Sequence, residues 1–185
     1  MLGSGNICSL GVIMRTISLA VALATALTLP AFADETPGQM VVLKADQIGQ
    51  IFCLSRIGND EAVIAGILTA DLTKAIAAAE EKDAAYSKKY PGEKPPLGDG
   101  IPWQSAPDYA AKCQTGLVTL SRNDAKVELK YSFPEEPAAD FTDTLILKKI
   151  PIEGMDVGYW RIDDVVYSDA TDLKGVLVSA FDGVE

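Results

Sequence analysis

The 185-residue chain contains no histidine. That absence removes Ser-His-Asp and Cys-His catalysis, the commonest general base at neutral pH, and nearly every zinc site. Basic residues are scarce too: 16 Lys and Arg against 26 Asp and Glu give a net charge of −10. Such a surface repels phosphate backbones, and no Lys/Arg cluster with interleaved aromatics offsets it, so nucleic acid is not expected as a partner. There is no G-x-S-x-G elbow, no glycine-rich phosphate loop and no calcium-type ladder of aspartates, so the ordinary hydrolase and kinase chemistries fall together. Neither a metal nor a cofactor is expected. A further absence is a long apolar run. The longest, Ile17 to Leu29, is 13 residues interrupted only by Ser and Thr, whereas a helix crossing a bilayer needs roughly 20.

What that short run does fit is a secretory signal. Arg15 precedes it, Pro30 ends it, and Ala31-Phe32-Ala33 has the small-x-small shape that a signal peptidase accepts, with cleavage before Asp34. Residues 1–13 carry no charge, and Met14 reads as the natural start of the signal. Cys8 lies ahead of the apolar run rather than after it, which argues against lipid attachment. The expected product is exported to the periplasm or secreted, with no membrane association once the signal is removed. It comprises a flexible tail over 34–45 and one domain over 46–185.

The mature chain has 185 − 33 = 152 residues, enough for one real core. Without Arg15 its net charge is 15 − 26 = −11, for which solubility alone is a sufficient reason. Two cysteines survive cleavage, Cys53 and Cys113. In an oxidising compartment such a pair is expected to form a disulfide, the alternative being two separately buried small apolar side chains. The bridge would close a loop of about 60 residues, worth on the order of 4 kcal/mol in the chain-entropy account.

Periodicity supplies the elements. Asp46 can cap a helix that carries Ile48, Ile51, Phe52 and Ile57 and places Cys53 on it, with Gly58 and Asn59 as the stop. A second helical run starts at Asn59 or Asp60 with Val63, Ile64, Ile67 and Leu68, breaks near Thr69 to Asp71, and continues as an alanine-rich helix from Leu72 to Lys89. From Tyr90 to Pro107 five prolines and three glycines allow no regular element. Ile101 and Trp103 within that stretch argue for a loop packed back onto the domain. Strands are expected over Gly116–Arg122, Ala125–Phe133, Asp143–Ile150 and Val157–Tyr167. In the second of these Val127, Leu129, Tyr131 and Phe133 alternate with Lys126, Glu128, Lys130 and Ser132. Asp169 or Thr171 can cap a closing helix with Leu173, Val176, Leu177 and Ala180. The class is α+β: N-terminal helices packed on one face of a curved antiparallel sheet, then a short C-terminal helix.

The strand Gly158-Tyr-Trp-Arg-Ile-Asp-Asp-Val-Val166 carries a Trp-x-Ile-x-Asp pattern. In this it resembles the closing strand of the nuclear-transport-factor-2-like (cystatin-like) α+β superfamily, and in particular a family of exported bacterial proteins within it. Over most of Ile48 to Phe181 the order of elements is similar, including Leu68 to Leu72, the Asp99-Gly-Ile-Pro-Trp103 loop, Lys126 to Phe133, and Asp172 to Leu177. The resemblance implies a cone-shaped sheet. It implies no mechanism, since the superfamily includes isomerases, dehydratases and pure binding or dimerisation modules.

Carboxylate and phenol chemistry is what remains open to a histidine-free chain. Strict alternation puts Trp160, Ile162, Asp164 and Val166 on one face of the last strand, so that Asp164 would follow Trp160 and Ile162 toward the core. The alternative places it at the strand's rim, or past a bulge, bonded to backbone. Arg161 and Asp163 on the other face fit a plain surface ion pair. Trp103, with Asp99, Asp108 and Tyr109 around it, could close a pocket against the strands, anchor the loop, or do both. Three functions are compatible with these residues. The first is a non-catalytic envelope module holding a small apolar ligand or a protein partner, with Trp103, Tyr131, Trp160 and Asp164 as candidate contacts. The second is an isomerase or dehydratase using Asp164 as base and Tyr131 as donor. The third is an immunity-type protein neutralising a periplasmic toxin. One outcome is testable from the sequence alone: chain expressed in a Gram-negative host and recovered from its periplasm should begin at Asp34 on N-terminal sequencing.

Overall fold

The computed structural model describes residues 42–98 and 100–183. The expected signal segment, residues 34–41 of the expected tail, and Asp99 lie outside the described residues. The first helix, α1 (Ala45–Gly58), begins one residue ahead of the expected cap. Lys44 is extended and its N–H donates to Gln47 Oε1 at 2.8 Å, while Asp46 sits in the first turn, where the helix dipole favours an acid. Asn59 adopts the left-handed conformation (φ 49°) and ends the helix. The buried stripe is Ile48, Phe52, Ser55 and Arg56. Ile57 does not belong to it and is 46% exposed. It follows Ile48 by 57 − 48 = 9 residues, roughly two and a half turns, and so stands on the opposite side.

The second helical run is shorter than the periodicity suggests. Only one turn forms, α2 (Ala62–Ala65), before the chain straightens. Ile67 and Leu68 leave helical geometry because the edge of the sheet offers them backbone partners. Ile162 N–H donates to Ile67 O at 2.8 Å and Thr69 N–H to Ile162 O at 2.7 Å, making an isolated parallel bridge between Leu68 and Ile162. Thr69 then caps α3 (Ala70–Lys89), its hydroxyl accepting the Leu72 N–H at 3.2 Å.

Four strands follow: β1 (Lys112–Leu120), β2 (Asp124–Ser132), β3 (Phe141–Pro151) and β4 (Gly158–Val166). They form one antiparallel meander in the order β1-β2-β3-β4. The alternation expected in β2 is present: Val127, Leu129 and Tyr131 are buried, and Lys126, Glu128 and Lys130 point the other way. Register carries the same face across β3, where Leu145 opposes Val127 and Leu147 opposes Ala125. The closing helix α4 (Leu173–Ser179) is capped by Asp172, not by Asp169 or Thr171; the Asp172 carboxylate accepts Gly175 N–H at 2.7 Å. Asp169 instead binds Thr171 through its amide and hydroxyl, at 2.9 and 2.7 Å.

The core lies between the helices and one sheet face. Helix α1 packs on β1 and β2, and α3 and α4 lie against β4. A disulfide joins Cys53 on α1 to Cys113 on β1, with Cα atoms 5.1 Å apart, and so fastens the helix to the strand beneath it. Glycine sets how closely they approach. A Cβ on Gly49 would come within 2.7 Å of Thr115 Cγ2 and 2.8 Å of Val127 Cγ1, and both neighbours are β-branched and stiff. The Gly49→Ala variant should therefore lose about 1 to 2 kcal/mol in urea unfolding, overpacking outweighing the helix propensity gained. An unchanged or raised midpoint would contradict this close approach.

Candidate binding site

The proline-rich stretch between α3 and β1 has no regular structure of its own and is pinned at several points. Asp83 on α3 accepts Leu97 N–H at 2.9 Å, and the Tyr167 hydroxyl donates to Pro102 O. The deepest pin is Asp143 on β3, fully buried. Its carboxylate accepts Ser105 N–H at 3.0 Å, Ser168 N–H at 3.1 Å, and the Ser105 hydroxyl. Burial pushes the Asp143 carboxyl above its ordinary range, while the bonds from Ser105 and Ser168 pull it back.

Held in this way, the loop drives Trp103 into the domain, where it is 3% exposed and meets Phe52 of α1 edge-on, ring centroids 6.1 Å apart. Its indole N–H has no acceptor among the described residues. Two clefts meet at this ring. One, of about 340 Å³, is lined chiefly by Ile64, Leu68, Ile76, Ala77, Ile101 and Trp103. The other, of about 890 Å³, runs along the loop past Arg56, Gln104 and Tyr109. Glu61, Ile101 and Trp103 line both.

Arg56 reaches the second cleft from α1 and is 5% exposed. Nη1 lies 3.4 Å from Glu61 Oε1, Nε lies 3.5 Å from Gln104 Oε1, and the guanidinium sits over the Tyr109 ring, 5.2 Å from its centroid. The Tyr109 hydroxyl is fixed by Asn59 Oδ1 at 2.6 Å. Gln104, itself buried, braces the loop by donating to Ala106 O and Asp108 O at 3.0 and 2.7 Å.

Of the four residues read as candidate contacts, Trp103 alone lines these clefts. Tyr131 is 2% exposed, stacks on Phe141 at 4.6 Å, and has no partner for its hydroxyl among the described residues; burial, with Asp143 nearby, pushes the phenol well above its usual range. Trp160 is half-buried and pairs with Lys149, whose ammonium is 5.9 Å from the ring. Asp164 does not follow Ile162 to the core. The register slips between Ile146 and Leu147, where Leu147 opposes Ile162 but Ile146 opposes Asp164. Asp163 is the extra residue of the bulge, and Val165 takes the inward position opposite Leu145. Asp164 accepts Val165 and Lys174 N–H at 2.9 and 3.2 Å. Burial raises its carboxyl and those two bonds lower it. It therefore lies on a different face from Tyr131, and the two do not form an acid–base pair.

The Arg161–Asp163 surface pair is also replaced. Arg161 stacks on Tyr159 at 4.5 Å. Asp163 is 5% exposed and takes the Thr69 hydroxyl at 2.9 Å, Lys174 Nζ at 2.9 Å and Lys148 Nζ at 3.0 Å. Asp143 and Arg56 were not singled out by sequence, yet β3 held the signal: with Leu145 and Leu147 inward, alternation places Asp143 inward too. Among the described residues no cluster of His, Cys, Asp and Glu is arranged to hold a metal ion. Comparison of the chain with protein-family models, with curated proteins and with solved structures finds no match.

The Asp163 cluster has a definite pH signature. Burial alone would raise its carboxyl, but the bonds from Lys174, Lys148 and Thr69 outweigh it and hold the group below the ordinary 3.8. A folded-state value below the unfolded one adds stability that is present above about pH 4 and is lost as the pH falls through the folded value. Asp163→Asn should cost on the order of 2 kcal/mol at pH 7 in urea unfolding, and the gap from wild type should narrow below pH 4. A gap that stays constant down to pH 2.5 would exclude this cluster as its source.

Proposed function

We propose that the protein is an exported, non-catalytic binding module of the cell envelope that holds a small apolar ligand in the cleft over Trp103. The observation that carries this reading is the cleft itself: a wall of aliphatic side chains, Ile64, Leu68, Ile76 and Ile101, closed by one indole and rimmed by Glu61 and Glu80. Pockets of this size and lining suit apolar ligands. The carboxylates that could have served as bases support the same reading, because Asp143, Asp163 and Asp164 are each engaged by two or more hydrogen-bond donors that hold the framework together.

Export to the periplasm or beyond is supported by the disulfide between Cys53 and Cys113 and by the short apolar run ahead of Asp34. Among the described residues no helix is long and apolar enough to cross a membrane. The superfamily resemblance belongs to the same proposal, with helices preceding a four-stranded antiparallel meander in its support.

An uncharged apolar dye separates this reading from an inert core. Nile red should gain fluorescence on mixing with the mature chain and saturate at one dye per protein. Ala77→Trp, placed on the exposed wall of the cleft, should fill it and lower the affinity by about tenfold, equivalent to roughly 1.4 kcal/mol. Absence of saturable binding to the wild type would refute the proposal.

A further inference from the structure

Arg56 is out of place in so acidic a chain. Its side chain is only 6% exposed, and a buried guanidinium is held at a large desolvation cost unless its donors are well used. Here they are poorly used. The bonds to Glu61 and Gln104, at 3.4 and 3.5 Å, lie at the long limit for hydrogen bonding. Nη2 has no hydrogen-bond partner among the described residues. Nor is it sealed off: the buried side-chain donors without partners are Trp103 Nε1 and the Tyr131 hydroxyl. Arg56 lines the larger cleft, and Nη2 is the donor it has left to offer there.

The surroundings fix this group rather than neutralise it. Tyr109 supports the guanidinium plane from one side and is itself tied to Asn59. Gln104 is locked by the loop carbonyls of Ala106 and Asp108. The one carboxylate in reach among the described residues, Glu61, belongs to the rim, its side chain 43% exposed. It shows which chemistry the guanidinium accepts, and its exposure leaves it open to displacement. The apolar cleft begins at the same place, since Glu61, Ile101 and Trp103 are common to both.

We propose that the ligand is a carboxylate-bearing amphiphile, its carboxylate taken by Arg56 in place of Glu61 and its apolar chain lying over Trp103. This rests on the apolar-cleft reading above and adds the head group to it. Arginine suits the role because its planar fork meets a carboxylate with two parallel bonds. No covalent step is involved.

Three eight-carbon probes with different heads test it: octanoate, 1-octanol and octyltrimethylammonium, titrated calorimetrically into the mature protein. Octanoate should bind about tenfold more tightly than octanol, the gain from a charge-assisted over a neutral contact. Glu61→Gln removes the competing rim carboxylate, so octanoate should tighten several-fold in that variant while octanol is unchanged. Arg56→Gln should erase the preference, and if it fails to fold, as read by circular dichroism, the Glu61→Gln result decides. Equal binding of octanoate and octanol, or a preference for octyltrimethylammonium, overturns the head-group assignment and leaves the apolar cleft standing. Should none of the three bind, the cleft reading falls and this inference with it.

Discussion

A single buried carboxylate organises the region around Trp103. Asp143 sits on the core face of β3 with no exposed surface, and three donors from two separate segments converge on it. A carboxylate in that position destabilises the fold unless it is satisfied, so the segments bearing Ser105 and Ser168 must remain where they are. Ser105 lies two residues past Trp103, and Ser168 follows Tyr167, which bonds Pro102 O from the other side. A stretch with five prolines forms no continuous backbone ladder, and its own backbone bonds are isolated turns such as Gly98 N–H to Pro95 O and Trp103 N–H to Ile101 O. It takes its shape from the sheet, and Asp143 is the point of transfer. The clefts on either side of the indole are a product of that transfer.

Much of this was legible in the residues. Alternation in β2 gave the buried face, the proline-rich stretch gave the loop, Trp103 gave its anchor, and the pair Cys53 and Cys113 gave the disulfide. What could not be read was decided by long-range backbone pairing. Ile67 and Leu68 keep helical spacing yet serve as edge partners for Ile162, because an open strand edge offers bonds that a marginal helix end cannot match. Asp164 shows the same effect in another form. Period two holds only while the register holds, and one inserted residue, Asp163, exchanges the faces of everything after it. A bulge has no signature in a single sequence. Arg56 went unremarked for a simpler reason: a lone arginine on a helix is an ordinary surface residue until a loop folds across it.

The same rearrangement explains how a chain this acidic tolerates acids in and near its core. Asp163 receives two ammonium groups and a hydroxyl from three different elements, Thr69 ahead of α3, Lys148 on β3 and Lys174 on α4. Asp164, the next residue, receives two backbone amides. The bulge thus faces two adjacent carboxylates toward separate sets of donors, and it joins α3, β3, β4 and α4 at one corner of the fold. The buried carboxylates of the described residues are those of Asp163 at that corner and of the Asp143 pin, while the acids of the cleft lined by Ile64, Ile76 and Ile101, Glu61 and Glu80, stand at its rim.

The sheet has two unlike margins. Beside β4 the backbone is engaged by Ile67 and Thr69 at Ile162, and again by Asp172 at Val166. Among the described residues strand β1 has a neighbour on one side only, β2, and its register is broken between Thr115 and Val118, where Leu117 is 65% exposed. An unbroken β1 would be a template onto which the same strand of a second molecule could grow. The irregularity interrupts that template in mid-strand, so that fewer than half of its groups lie in phase for any incoming chain. Against an extended polypeptide seeking an edge to pair with, such an interruption would act as a guard against coaggregation.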